Sequence, residues 1–345
     1  MNHEKYMKRC LELAAKGIGT TRPNPAVGAV IVYNDKIIGE GYTSPYGGPH
    51  AEVNAVNSVK EISLLEKATI YVTLEPCSHY GKTPPCADLI ISKKIPNVVI
   101  GTLDTHSLVC GNGIAKLKEA GCTVTLGVLE DECKKHHKRF FTVQNKKRPY
   151  IILKWAETKD GFIAPITKNE QKPVWISNTY SKQLVHKWRA EEHAILVGTN
   201  TVLADNPKLD VRSWTGNNPV RVILDKNLRI SQQVNVFDKT VKTIVITEKE
   251  QESTHDNLVY ELINFSERVG VQICNVLQKH KIQSVIIEGG TRTLQTFIDG
   301  DLWDEARVFT GEAIFNKGMK GPNLPKKNFK EQTIKNDILR TYWND

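Results

Sequence analysis

Thr73-Leu74-Glu75-Pro76-Cys77-Ser78-His79-Tyr80-Gly81-Lys82-Thr83-Pro84-Pro85-Cys86 places two cysteines on either side of a polar loop. The apolar, β-branched run from Ala68 to Leu74 leads into it and predicts a buried strand. Upstream, His50-Ala51-Glu52 stands at the start of a helical-looking segment, Ala51 to Lys60. One imidazole and two thiolates form a three-ligand zinc site with one tetrahedral position left for water. A glutamate two residues after the histidine is the base that such a water needs. Taken singly, each cysteine reads as a buried thiol, and His-x-Glu occurs by chance in many chains. A structural zinc clip would use four protein ligands at shorter cysteine spacing, whereas eight residues separate Cys77 from Cys86. The conjunction points to catalytic zinc on His50, Cys77 and Cys86, with Glu52 as catalytic proton carrier. Water activated by the metal would attack an amidine-like ring carbon.

The remaining composition sets bounds. A chain of 345 residues is too long for one typical core and predicts two domains. Its hydrophobic content of 40% and charged content of 25% are those of a globular protein. No apolar run has the length of a membrane span, and the polar N-terminus lacks a signal-peptide core. Seven scattered cysteines do not make a disulfide framework, so a reducing cytoplasm is expected. The net charge of +9 suits a nucleic acid or a small phosphorylated substrate. Basic residues are spread along the chain, compact only between Lys134 and Arg148, with no regular aromatic interleaving.

Read in order, Glu4 to Gly17 predicts an amphipathic helix, and Ala26 to Val32 and Lys36 to Gly41 predict two strands around a tight turn. Between them, Pro23 and Pro25 hold Asn24, a turn residue or an amide offered to a ring. Helices at Cys86 to Lys93 and Gly113 to Ala120 alternate with strands at Asn97 to Gly101 and Thr123 to Leu126. This predicts a mixed sheet covered on both faces. A charged helix, Glu130 to Val143, closes the first domain, and the polar, proline-ended stretch Gln144 to Pro149 predicts the boundary: domains 1–145 and 146–345. Beyond it, strands are expected at Tyr150 to Ala156, Ala194 to Gly198, Val220 to Asp225, Thr243 to Thr247, Ser284 to Glu288 and Glu305 to Thr310. Helices are expected from Trp175 to Glu191, Val271 to Lys281 and Thr293 to Ile298. Gly318 to Asp345 carries no assignable pattern.

In this second half Glu288-Gly289-Gly290-Thr291 sits between strand and helix, either a plain turn or a place where backbone approaches a pyrophosphate. Thr201 and Asp205 follow a strand ending in Gly198 and could stand near a bound nucleotide, although Asp205 before Asn206-Pro207 is, in isolation, more often a helix-end or turn residue. Lys154, Arg189 and Arg212 are anion contacts or solvated charges. On residue physics alone this half is an α/β domain with a nucleotide site in prospect.

From Tyr6 to about Gly311 the chain resembles the bifunctional riboflavin-biosynthesis deaminase/reductase family. The resemblance rests on Pro23-Asn24-Pro25, His50-Ala51-Glu52 and the Glu75 to Cys86 stretch. In the second half it rests on Lys154, Asp160-Gly161, Trp175-Ile176, Val197-Gly198, Ala204-Asp205-Asn206-Pro207, Arg221 to Asp225 and Glu288-Gly289-Gly290. It implies a cytidine-deaminase-like α/β/α domain followed by a dihydrofolate-reductase-like α/β domain. The implied activities are zinc-dependent deamination of a diaminopyrimidinone ribotide, then NADPH-dependent reduction of the ribosyl group to ribityl. It further implies that Asn24, His79, Lys82 and Asp104 hold the first substrate, and Lys154, Arg189, Arg212 and Glu288 the second. Trp175, Thr201, Asp205, Gly289 and Gly290 would line the NADPH site, with Asp205 also assisting proton transfer. Small phosphoribosyl-pyrimidines as partners, rather than nucleic acid or membrane, and a homo-oligomer complete the expectation. The chain departs from the family at Thr43, where histidine is common, at Thr105-His106, where Pro-Asn is usual, and after Gly311.

Two rivals share some of these residues. A deaminase of nucleic-acid bases would use the positive charge to hold a polynucleotide, but its cysteines are spaced Pro-Cys-x-x-Cys and the second domain would have no role. A structural zinc module on a basic RNA-binding domain would need a fourth ligand and would leave Glu52 unexplained.

Overall fold

The structure, a computed structural model, describes residues 2–80, 84–105, 111–168 and 170–344. The chain divides into two units, Met1–Lys147 and Arg148–Asp345.

Unit 1 contains strands β1 (Gly28–Tyr33), β2 (Lys36–Tyr42), β3 (Thr69–Leu74), β4 (Asn97–Thr102) and β5 (Thr123–Leu126). Its helices are α1 (His3–Ala15), α2 (Ala51–Asn57), α3 (Cys86–Ser92), α4 (Asn112–Glu119) and α5 (Glu130–Lys146). The sheet runs β2-β1-β3-β4-β5, with β1 antiparallel to both neighbours and β3, β4 and β5 parallel. β3 is buried throughout because it is central and covered on both faces. Its alternation sends Ile70, Val72 and Leu74 toward Ala55 of α2, Ile90 of α3 and Leu117 of α4. Tyr71 goes the other way, to Met7 and Cys10 of α1 and Cys133 of α5. Three layers result.

α5 runs beyond the expected end at Val143, since Gln144, Asn145 and Lys146 all tolerate a helix. It stops where Lys147 turns left-handed (φ 52). Arg148 is already anchored in unit 2 by Asp304, at 2.5 and 2.9 Å, so the units meet two residues past the expected boundary.

Unit 2 contains strands β6 (Tyr150–Glu157), β7 (Phe162–Pro165), β8 (Ala194–Gly198), β9 (Val220–Leu224), β10 (Thr243–Thr247), β11 (Leu258–Leu262), β12 (Ser284–Glu288), β13 (Glu305–Thr310), β14 (Gly318–Lys320), β15 (Phe329–Ile334) and β16 (Asp337–Trp343). Its helices are α6 (Thr179–Glu191), α7 (Thr199–Asp205), α8 (Val269–Lys279) and α9 (Thr291–Asp299). The large sheet is ordered β11-β10-β9-β8-β12-β6-β13-β16-β15, parallel from β11 to β13 and antiparallel through β16 and β15. Ile273 of α8 and Phe297 of α9 pack on one face. Val185 and Trp188 of α6 and Val202 of α7 pack on the other.

Three expectations change here. The helix expected from Trp175 begins at Thr179, because the Asn178 side chain accepts the N–H groups of Tyr180 and Ser181 and caps it. Thr199 to Asp205 forms a short helix. The unassigned tail supplies β14 and the β15–β16 hairpin. No helix among the described residues is long and apolar enough to cross a membrane.

Candidate functional site

In unit 1, α2 lies directly on β2: a Cβ on Gly41 would stand 2.4 Å from the Ala55 nitrogen. That seat fixes His50, the extended residue preceding α2. Cys86 opens α3, and Cys77 follows β3 after Glu75-Pro76. The three ligand atoms lie within 4.8 Å of one another. His50 Nδ1 stands 3.7 Å from Cys77 Sγ and 3.4 Å from Cys86 Sγ. Donors on a tetrahedral zinc with ordinary bond lengths stand about 3.6 Å apart, so the triangle fits the metal. The Cys86 backbone N–H donates to Cys77 Sγ at 3.2 Å. The Cys86 thiol, with His50, pulls the Cys77 thiol far below its usual value, and Cys77 in turn pushes Cys86 up. Beside them Glu52 is only 4% exposed. Burial first, then the Cys77 sulfur, raises its carboxyl to about 7.

The neighbouring loops are held from underneath. Glu75 Oε2 accepts the N–H groups of Asp104 (3.3 Å) and Gly111 (3.0 Å), and Oε1 those of Gly113 (2.9 Å) and Ile114 (3.3 Å). Asp104 is thereby tied to the metal strand. Asn24 ends a turn in which its N–H donates to Thr21 O and its carbonyl accepts the Thr21 hydroxyl. His79 is exposed. Among the described residues no hydrogen bond joins Asn24 or His79 to the metal triangle. Lys82 and His106 lie outside the described residues. Thr43 is buried and accepts the Val27 N–H at 3.0 Å, so it braces the strand ends.

In unit 2, Lys154 on β6 and Glu288 on β12 are register partners. Lys154 Nζ lies 3.8 Å from Glu288 Oε1, and Arg189 of α6 reaches Glu288 Oε2 at 3.1 Å. Burial pulls the Lys154 ammonium down. It works upward on Glu288, where Lys154 and Arg189 outweigh it and hold the carboxyl below its usual range. Arg189 Nε and Glu288 Oε1 are buried without a hydrogen-bond partner, which fits a ligand that brings hydroxyls or anionic oxygens. Arg212 joins this group through His186, whose Nδ1 accepts the Arg212 N–H at 3.1 Å, and through an ion pair with Asp210. His186 and Asp210 were not singled out in the sequence. The signal available was helical spacing alone, His186 standing one turn before Arg189 on α6.

The residues expected at the cofactor are brought together only in part. Gly289 has φ +120, and a Cβ there would stand 2.6 Å from Thr201 Oγ1, so the strand-to-helix turn and α7 touch. At Gly290, which precedes α9, a Cβ would meet nothing within 4 Å. The cradle is open, as close approach of a nucleotide backbone requires. Asp205 ends α7 paired with Lys168. Trp175 is 60% exposed, with Lys182 Nζ 3.7 Å above its ring, and no hydrogen bond ties it to the glycines among the described residues.

The two units correspond to two families in comparisons with known proteins. The family model for the RibD C-terminal domain matches residues 149–334, and that for the cytidine and deoxycytidylate deaminase zinc-binding region matches residues 1–102. The riboflavin biosynthesis protein RibD of Aquifex aeolicus (strain VF5) is 41% identical over 333 residues, 95% of this chain and 92% of that protein. The RibD protein of Escherichia coli (strain K12) is 34% identical over 348 residues, covering 94% and 93%. A crystal structure of a diaminohydroxyphosphoribosylaminopyrimidine deaminase/5-amino-6-(5-phosphoribosylamino)uracil reductase from Thermotoga maritima superposes with a TM-score of 0.90 at 40% identity, covering 99% of this chain and 98% of that one. The N-terminal fold is cytidine-deaminase-like and the C-terminal fold dihydrofolate-reductase-like, as the resemblance implied. With a zinc-ligand triangle in one unit, an open glycine turn beside a charged cluster in the other, and relatives matched over nearly their whole length, the chain belongs to the RibD family of riboflavin biosynthesis proteins.

Proposed function

We propose that unit 1 deaminates 2,5-diamino-6-(5-phosphoribosylamino)pyrimidin-4-one and that unit 2 reduces the ribosyl group of the uracil product to ribityl with NADPH. The observation that carries the reading is the His50–Cys77–Cys86 triangle with the buried Glu52 beside it. Zinc held by those three residues would supply the Lewis acidity that makes water nucleophilic near neutral pH. Glu52 takes a proton from that water and gives it to a ring nitrogen. It then takes the remaining proton from the newly added hydroxyl and gives it to the departing amino group, so that ammonia leaves as the ring carbonyl forms. Its burial disfavours a lasting charge on the carboxyl, which suits a group that accepts and returns protons. Asp104, pinned by Glu75, together with Asn24, His79 and Lys82, forms the assigned substrate contacts.

In unit 2, NADPH held at Thr201, Gly289, Gly290 and Trp175 would supply the hydride chemistry for C1′ of the opened sugar. Lys154 and Glu288, paired across β6 and β12, orient the sugar, while Arg189 and Arg212 take the phosphate, the anion that guanidinium groups bind best. Asp205 is held by Lys168, so its part in the proton transfer requires that pair to separate on cofactor binding. The partners are small phosphoribosyl-pyrimidines rather than a polynucleotide, and assembly is as a homo-oligomer, which sedimentation would test by returning more than the mass of one chain.

The test is a single assay of zinc-loaded protein with the diaminopyrimidinone ribotide and NADPH, following ammonia and NADPH together. Ammonia release precedes NADPH loss, and Glu52→Gln lowers both by about a thousandfold. The uracil ribotide then restores the second signal alone. Ammonia without NADPH loss would refute the unit 2 assignment, and silence in metal-replete protein would refute both.

A further inference from the structure

We propose that His186 is a positioning residue for the phosphate end of the unit 2 site, acting through Arg212; this rests on the reading of Arg189 and Arg212 as phosphate contacts. His186 lies on α6 one turn before Arg189 and is 7% exposed. Its Nδ1 accepts the Arg212 backbone N–H at 3.1 Å. An acceptor nitrogen carries no proton, so that bond requires a neutral ring protonated on Nε2. The surroundings enforce this state. Burial, then Arg189 and Arg212, bring the imidazole down to about 4, against the opposing pull of Asp210 and Glu288.

A second tie runs from the same helix. Arg189 Nη1 donates to the Asp210 carbonyl at 3.3 Å, and the Asp210 carboxylate pairs with the Arg212 guanidinium. Two side chains of α6 therefore grip residues 210 to 212, a stretch without regular secondary structure. The grip sets the spacing between the Arg189 and Arg212 guanidinium groups before any anion arrives. A phosphate then binds a prepared pair and does not bear the cost of ordering a loop.

The test uses zinc-loaded full-length protein titrated calorimetrically with ribose 5-phosphate, with NADPH titrated separately. His186→Leu removes the acceptor, whereas His186→Asn places an amide oxygen near the position of Nδ1. The leucine variant is expected to bind ribose 5-phosphate about tenfold more weakly, and the asparagine variant within about threefold of the parent. NADPH affinity stays unchanged in both, and in turnover KM rises more than kcat falls. Arg212→Ala loses a comparable factor, and the double variant His186→Leu/Arg212→Ala loses no more than Arg212→Ala alone. Additive losses, or an asparagine variant no better than leucine, would overturn the proposal. Normal binding by His186→Leu alongside a loss in Arg212→Ala would overturn it while sparing the phosphate assignment. Normal binding by Arg212→Ala would overturn that assignment, and the proposal with it.

Discussion

Unit 1 and unit 2 both gather reactive side chains near the carboxyl ends of parallel strands, the usual position for ligands in open α/β sheets. They stabilise them differently. In unit 1 the backbone does most of the holding: the Cys86 N–H sits on Cys77 Sγ, and four N–H groups converge on Glu75. Unit 2 relies on opposed charges, Lys154 and Arg189 about Glu288, with Arg189 Nε and Glu288 Oε1 left without a hydrogen bond. A site fixed by backbone is ready for a small, geometrically demanding ion. One fixed by charge has polar atoms in reserve for a ligand with many oxygens.

The sharpest way to break this comparison is to remove the metal. Chelation, or Cys86→Ser, is expected to lower ammonia release by at least about a thousandfold. Reduction of the uracil ribotide should stay within about twofold, as read from NADPH absorbance. A parallel collapse of reduction would mean that the two sites do not operate by separate means. A smaller effect is expected from Arg189→Ala, which leaves the buried Glu288 carboxylate with Lys154 alone at 3.8 Å. Breaking a buried pair costs about 3–5 kcal/mol, and the remaining lysine reduces that to about 2 kcal/mol in urea unfolding of the unit 2 transition. Adding Glu288→Gln should recover part of the loss.

The smallest effect is in the pH profile of unit 1. His137 is 2% exposed, its Nε2 lies 3.1 Å from Thr73 Oγ1, and burial, then His136, holds its ring well below the ordinary value. Between the depressed folded value and the ordinary unfolded one, the unfolded chain binds more protons. Stability is therefore complete above about 6.5 and falls as the pH drops below it, by at most about 1.4 kcal/mol per pH unit. Thermal melts at pH 7.5 and 5.5 should show a smaller difference in His137→Gln than in the parent. An equal difference would assign the pH dependence elsewhere.

Which of these features the sequence discloses follows from their physics. β3 is an unbroken apolar run and the metal residues have a distinctive order, so both are legible. β15 is Phe-Lys-Glu-Gln-Thr-Ile at the sheet edge and almost wholly exposed. It presents no buried stripe, and its pairing with β16 is a non-local fact. α7 has seven residues, two of them β-branched threonines, with only Val202 buried, so neither propensity nor periodicity marks it. The same holds for His186. One histidine on an amphipathic helix looks like packing until the fold brings the Arg212 amide to it. The Lys168–Asp205 pair is likewise invisible along the chain, its members separated by α6, β8 and the rest of α7.

Glu75 has one further consequence, for the licence the chain has to vary. Its carboxylate pins Asp104 on one side and Gly111, Gly113 and Ile114 on the other. Asp104 and Gly111 are therefore both fastened to the residue two places before Cys77. Thr105, next to a residue already tied down through its backbone N–H, is expected to tolerate substitution without disturbing the metal ligands. Chemistry and selectivity in this half of the molecule are thus free to evolve at different rates, around a single carboxylate that belongs to neither.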